Sequence, residues 1–272
     1  MEAKQMKKSI ELPEGFKFSV GRKIRIIQKD LIPKNGKVQV CFLGDIHYGA
    51  RNCDVKSMKE TIDHCISKGI YVMTMGDLIE SSNRYSVGSG VYEQINPQKQ
   101  MEEMIEILRP LAAKGLLINI MKGNHENRIQ KETGIDVSKV MATILGVPYS
   151  SSACWNLLNV SGRRYSVYTL HGASGSRYEY TKLKAIIDIL HNISADVVAM
   201  GHVHALSSAS YIRQYIDLRD RTVKERKIYA ILTGSYLKYD DSYAQEKGYP
   251  MTKIGSPYIT LSSEKEDIQI EE

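Results

Sequence analysis

The 272-residue chain has four cysteines, one tryptophan and three phenylalanines. It contains no apolar run of the ~18–20 residues needed to span a bilayer. Each shortage excludes something. Cys41, Cys53, Cys65 and Cys154 form no C-x-x-C pair, which argues against a disulfide scaffold and against a cysteine-held metal. Cys41 lies in an apolar stretch, where a reduced thiol behaves as a small hydrophobe. The first twenty residues, MEAKQMKKSIELPEGFKFSV, are basic but carry no apolar segment of a secretory signal. The expectation is a cytoplasmic protein with no membrane partner. No internal repeat, low-complexity stretch or Gly/Ser linker divides the chain. Residues 1–272 are therefore expected to form a single domain, with a basic lead-in over 1–37 and an acidic tail over 264–272.

Acidic residues are in deficit only locally. Lys and Arg number 37 against 31 Asp and Glu, a formal net charge of +6. Residues 1–40 hold ten basic and four acidic side chains, which accounts for the whole excess. The remainder is neutral, so charge alone does not point the body of the protein at nucleic acid.

Apolar runs at 38–43, 70–75, 116–121, 165–170 and 197–200 have the length and composition of strands. Between them, 55–67, 97–113, 136–145 and 178–192 carry helical spacing. Asn96 before Pro97 makes a good helix start, and Leu183, Ile186, Ile187 and Leu190 share one helical face. Alternation of this kind predicts an α/β protein with buried, largely parallel strands. After His204 it stops. Segments 210–218, 226–233 and 257–261 read as strands without intervening helices, which suggests a second, more antiparallel sheet.

The strand-like runs end in polar residues of one chemical kind. CFLGDIH ends in Asp45 and His47, VMTMGD in Asp77, and NIMKGNHE in Asn124, His125 and Glu126. VYTLHG ends in His171, and VVAMGHVH in His202 and His204. A single histidine after a strand is usually an ordinary surface residue. Here five of the seven histidines arrive together with Asp and Asn at the carboxyl ends of strands, where α/β sheets bind ligands. Such a cluster without a cation would leave buried charge unpaired, so a metal site is expected.

The ordered series Asp45-x-His47, Gly76-Asp77, Gly123-Asn124-His125-Glu126, His171 and Gly201-His202-x-His204 resembles the calcineurin-like metallophosphoesterase family. The resemblance spans Asp45 to His204. It implies an α/β, four-layer α-β-β-α sandwich with two mixed β-sheets and a dinuclear metal site at the strand C-terminal ends. It also implies that Asp45, His47 and His204 hold one divalent ion, Asn124, His171 and His202 the other, and that Asp77 bridges them. Mixed imidazole and oxygen donors suit manganese, with iron or zinc as alternatives, better than calcium. Such a pair polarises a phosphoryl group and activates water for in-line attack on phosphorus. By the same resemblance His125 is catalytic, stabilising the phosphoryl group or protonating the leaving oxygen, and Glu126 orients it. Arg51, Arg84 and Arg128 are candidates for holding substrate phosphate. Arg128 comes first, because Gly-Asn-His-Glu-Asn-Arg keeps it nearest His125.

In the protein-phosphatase branch of that family a second Asp-Arg-Gly follows Gly-Asp; here the run is Gly76-Asp77-Leu78-Ile79-Glu80-Ser81-Ser82. The departure favours a phosphodiesterase or nuclease acting on DNA, RNA or a nucleotide. A phosphomonoesterase is the alternative, and a non-catalytic scaffold a remote third. Six of the 17 tyrosines fall between Tyr229 and Tyr258. The polar segment 234–257 reads as a long loop over the site, with tyrosines able to stack on bases. Segment 81–95 reads as a second rim loop. A homodimer is one way to supply a cap.

Overall fold

Capped helices and apolar strands alternate through the first 200 residues, and a computed structural model shows how they pair. It describes residues 16–21, 24–82, 96–151, 153–172, 178–240, 243–248, 250–265 and 267–272. Among the described residues, one sheet has six strands and the other seven. At the centre of the first, β3 (Lys37–Leu43), β4 (Tyr71–Thr74) and β5 (Leu117–Met121) run parallel, flanked by short β6 (Tyr149–Ser150) and by antiparallel β12 (Tyr258–Ser262) and β13 (Ile268–Glu271). The second has the order β1 (Phe16–Gly21), β2 (Ile24–Leu31), β7 (Ala153–Val160), β8 (Arg163–Leu170), β9 (Val197–Met200), β11 (Thr222–Thr233) and β10 (Leu206–Asp217). Both sheets are mixed.

The helices cover the outer faces. α1 (Val55–Lys68) buries Met58, Ile62 and Cys65, one stripe at helical spacing. Asp54 caps its start by accepting from the Ser57 amide, and Gly69 ends it in the left-handed conformation. α2 (Pro97–Ala113) starts at the Asn96 cap, and α4 (Val137–Leu145) at Asp136. These helices pack on each other and on the six-stranded sheet. α3 (Asn124–Thr133) follows β5 directly, and α6 (Tyr243–Glu246) is a single turn. α5 (Glu179–Asn192) lies on the seven-stranded sheet, against β9, β10 and β11.

Side-chain alternation in the strands sorts the core. In β9, Val197 and Ala199 join the main apolar cluster with Phe42, Met73 and Ile118, while Val198 and Met200 face α5 with Ile186 and Leu190. β11 divides likewise: Tyr229 and Ile231 go inward, and Ile228, Ala230 and Leu232 go toward α5. Helix, sheet, sheet and helix are thus stacked in four layers. No helix among the described residues is long and apolar enough to cross a membrane.

Two expectations are corrected. The strands after His204 do not form a sheet of their own. β11 pairs parallel with β9, β10 pairs with β11, and β12 pairs with β3, so they divide between the two sheets. Nor is the basic stretch before residue 37 merely a lead-in. β2 pairs parallel with β7, and Ile27 and Leu31 are buried in the core. The acidic tail forms β13 against β12.

Candidate metal centre

The parallel strands β3, β4 and β5 all end at one edge, and β8 and β9 of the other sheet end there too. The loops beyond them are laced together by their backbones. The amides of Asp45, His47 and Tyr48 donate to the carbonyls of Gly76, Asp77 and Leu78, at 3.0, 2.9 and 3.0 Å. The amide of Tyr236 donates to the Asp45 carbonyl at 3.0 Å. Asp45, His47, Asp77, His202 and His204 all have positive φ, between 48° and 67°. That conformation costs an L-residue about 1–3 kcal/mol and persists only where the surroundings enforce it. Two glycines make the close approach possible. A Cβ on Gly123 would stand 2.0 Å from Asp77 Oδ1, and one on Gly76 would stand 2.7 Å from His171 Nδ1.

Donor atoms of Asp45, His47 and His204 lie within 4.8 Å of one another, as do those of Asp77, His171 and His202. Asn124 Oδ1 sits 2.8 Å from His171 Nε2 and 2.7 Å from His202 Nδ1. The structure therefore brings together all seven residues expected to ligate metal.

Their chemistry fits cations. Each buried aspartate has one oxygen occupied and one left over. Asp45 Oδ2 accepts from the His202 amide at 2.8 Å, and Asp77 Oδ1 from the His125 amide at 2.9 Å. Asp45 Oδ1 and Asp77 Oδ2 are buried with no hydrogen-bond partner. They look across at imidazoles, His204 at 3.4 Å and His171 at 3.3 Å. Orphaned buried carboxylate oxygens are costly without a positive partner. The imidazoles are oriented as ligands. His171 Nδ1 meets the Met75 carbonyl at 2.8 Å, which turns Nε2 inward, and His47 Nδ1 meets Glu80 Oε2 at 2.8 Å. The Nε2 atoms of His47 and His204 then converge to 3.1 Å. Burial opposes charge on both Asp77 and His171, yet their attraction wins. Asp77 is held well below the usual carboxylate range, and His171 is raised to about 10. These residues would give up that proton to hold a cation in its place.

The four-layer stack and the donor cluster at its edge are the arrangement that the resemblance to the calcineurin-like metallophosphoesterases implies. No family model and no curated protein matches the chain. Among solved structures it is similar to zinc-complexed Vps29 from Entamoeba histolytica, at 14% identity over 86% of this chain and 97% of that one, with a TM-score of 0.37. It is similar to a predicted phosphoesterase from Streptococcus pneumoniae, at 14% identity, 86% and 88% coverage and a TM-score of 0.34. A metallophosphoesterase from Sphaerobacter thermophilus gives 10% identity, 86% and 87% coverage and a TM-score of 0.38. These likenesses are distant, and what the centre can do follows from its own residues.

Beside the cluster, His125 stands edge-on to His47 with ring centroids 4.3 Å apart. Its Nδ1 lies 2.7 Å from the Glu80 carbonyl and 3.2 Å from Glu80 Oε2. Burial disfavours its charge, but Glu80 and Asp77 outweigh burial and lift it to about 8. Arg128, three residues on along α3, lays its guanidinium along the ring, Nη1 3.2 Å from Nδ1 and Nη2 3.0 Å from Nε2. Arg51 is exposed on the turn after His47. Arg84 and most of segment 81–95 lie outside the described residues.

The expected role of Glu126 is corrected. It is fully buried, and its carboxylate faces backbone rather than His125. Oε1 accepts from the amides of Leu78 and Ile79, at 2.7 and 3.2 Å. Oε2 accepts from those of Asp77 and Gly123, at 3.2 and 2.9 Å. Glu126 therefore caps α3 and ties the Asp77 loop to the Asn124 loop. The carboxylate beside His125 is Glu80, which the sequence reading passed over. Its two histidine partners hold it ionised well below the ordinary glutamate range despite burial. The available signal was its place three residues after Asp77, in a run too irregular to be helix or strand. Tyr236, one of the tyrosines expected to stack on bases, is completely buried and donates to Ser256.

Proposed function

We propose that the protein is a metal-dependent phosphoesterase, and that it hydrolyses phosphodiesters of nucleic acids or nucleotides. The observation that carries this reading is the pair of buried aspartate oxygens, on Asp45 and Asp77, that lack hydrogen-bond partners amid four converging imidazoles. Asp45, His47 and His204 would hold one divalent ion, Asn124, His171 and His202 the other, with Asp77 between them. When bound, two such ions polarise phosphoryl oxygens and activate water.

The chain's own residues supply the rest. His125, oriented by both the carbonyl and the carboxylate of Glu80, holds a proton at the mouth of the cluster for the leaving oxygen. Arg128 keeps a fixed positive charge beside it for a phosphate oxygen. One contact of Arg128, to Glu80, supports the diester reading. Its Nη1 is 3.9 Å from Glu80 Oε1, so part of its charge is already balanced. A singly charged diester asks less of that guanidinium than a dianionic monoester does. Manganese is the ion we assign first, on the aspartate and asparagine oxygens, with iron and zinc also suited by the imidazoles.

The test is to strip the protein of metal, restore manganese, and compare a phosphodiester, a phosphomonoester and short DNA. Metal-dependent cleavage with diester ahead of monoester is expected. Faster monoester turnover would replace the substrate reading, and no metal-dependent turnover on any of them would remove the catalytic one.

A further inference from the structure

β9 and β11 run parallel, with Met200 and Leu232 paired at the donor edge and Val197 and Tyr229 paired at the other. β11 starts seven residues before Tyr229, at Thr222. Residues 222–228 and their partners 211–217 on β10 therefore continue past β9 as a two-stranded hairpin directed away from the donors. Six of the twelve large apolar side chains exposed among the described residues sit here: Tyr211, Ile212, Tyr215, Ile216, Leu218 and Val223. Ile212, Ile216 and Val223 are 66%, 65% and 66% exposed, and Leu218 is 85% exposed. The register pairs Ile216 with Val223, which places Ile212, Ile216 and Val223 on one face. A patch this concentrated marks a contact surface rather than scattered surface hydrophobics.

β10 is also the outermost strand of its sheet. Its twelve residues, LSSASYIRQYID, contain no proline or lysine, and its ladder with β11 is unbroken by a bulge. Those are the devices that normally keep an open edge from pairing.

We propose that this edge pairs with the same edge of a second copy of the chain, antiparallel about a two-fold axis through Tyr215. Such a contact must be complementary to itself. The charged residues of β10 are Arg213 and Asp217, of opposite sign and equally spaced about Tyr215. In this register each Arg213 faces an Asp217 of the other copy, Ile212 faces Leu218, and the two Tyr215 side chains meet. An axis through Arg213 or Asp217 would instead oppose like charges. Within the chain Arg213 already donates to the Leu190 carbonyl and Asp217 already pairs with Lys224, so both are positioned before contact. The apolar face of the hairpin continues into its counterpart, and the two sheets become one. Because the hairpin lies opposite the donor edge, both metal centres stay open.

Sedimentation velocity should show a wild-type dimer, and an Ile212→Lys, Ile216→Lys double variant with unchanged circular dichroism should run as a monomer. A Tyr215→Cys variant should cross-link to itself under mild oxidation, since the native cysteines are buried. A Val223→Cys variant, one strand farther in, should cross-link far less. A monomeric wild type, a dimer indifferent to the lysines, or cross-linking at 223 in preference to 215 would each overturn the proposal.

Discussion

Around Asp77 the donor cluster has unlike halves. On one side Asp45 joins His47 and His204, and on the other Asn124 joins His171 and His202. The first side is anionic and the second neutral. Their supports differ in the same sense: His47 leans on the carboxylate of Glu80, and His171 on the carbonyl of Met75. Backbone conformation separates them again. Asp45, His47 and His204 all have positive φ, whereas in the second set only His202 does. One half thus offers charge and an enforced backbone to a cation. The other offers neutral dipoles, which would leave an ion held there more electron-poor and better able to polarise a phosphate oxygen.

The largest effect should come from removing what the halves share. In Asp77→Ala both sides lose their common oxygen, and metal content by mass spectrometry should fall on both, taking turnover with it. A variant that still retained two ions would mean that the halves are independent.

His125 also has a donor atom within 4.8 Å of those of His47 and Asp77, but its proposed role is chemical rather than coordinating. His125→Ala should leave metal content unchanged and lower turnover about 10²–10⁴-fold, the usual contribution of a positioned proton donor. Loss of metal in this variant would instead make His125 a ligand, an assignment open to it because its Nε2 is 3.9 Å from Asp77 Oδ2.

Glu80→Gln should divide the halves. It removes charge from the support of His47 while the Met75 contact of His171 is untouched. Affinity for one ion should drop roughly 10–100-fold, as is usual when a partner of a metal-binding histidine is altered, with the other ion unaffected. Titration with manganese followed by paramagnetic resonance separates these outcomes. Equal weakening of both ions would show that Glu80 supports the cluster as a whole.

The donors themselves were legible in the sequence because each closes a short apolar run, and strand ends converge in this architecture. The supports were not. Glu80 and Glu126 are both acidic residues a few positions past a motif. Only the fold shows that Glu126 collects four backbone amides while Glu80 faces two imidazoles. The seven-stranded sheet was half legible for a related reason. β9 is apolar on both faces because α5 covers one and the other sheet covers the other. β2 and β7 mix polar and apolar residues without a clean alternation, although β7 buries every second side chain, Asn156 among them. In β2 the charges of Arg25, Lys29 and Asp30 hid Ile27 and Leu31 from a reading by composition.

The finest test exchanges the character of one half for that of the other. Asn124→Asp alters a single atom type and makes the neutral side anionic. A charge placed about 4 Å from an ion is worth roughly 1–4 kcal/mol between the dielectric of water and that near a protein surface, so the second ion should bind more tightly. The added charge also offsets the Lewis acidity for which a neutral donor is suited, so turnover should fall even as metal affinity rises. Affinity and rate moving in opposite directions is the signature of a half-site tuned for chemistry. If they fell together, Asn124 would instead be required for its amide nitrogen or its shape, and charge would not be what distinguishes the two sides.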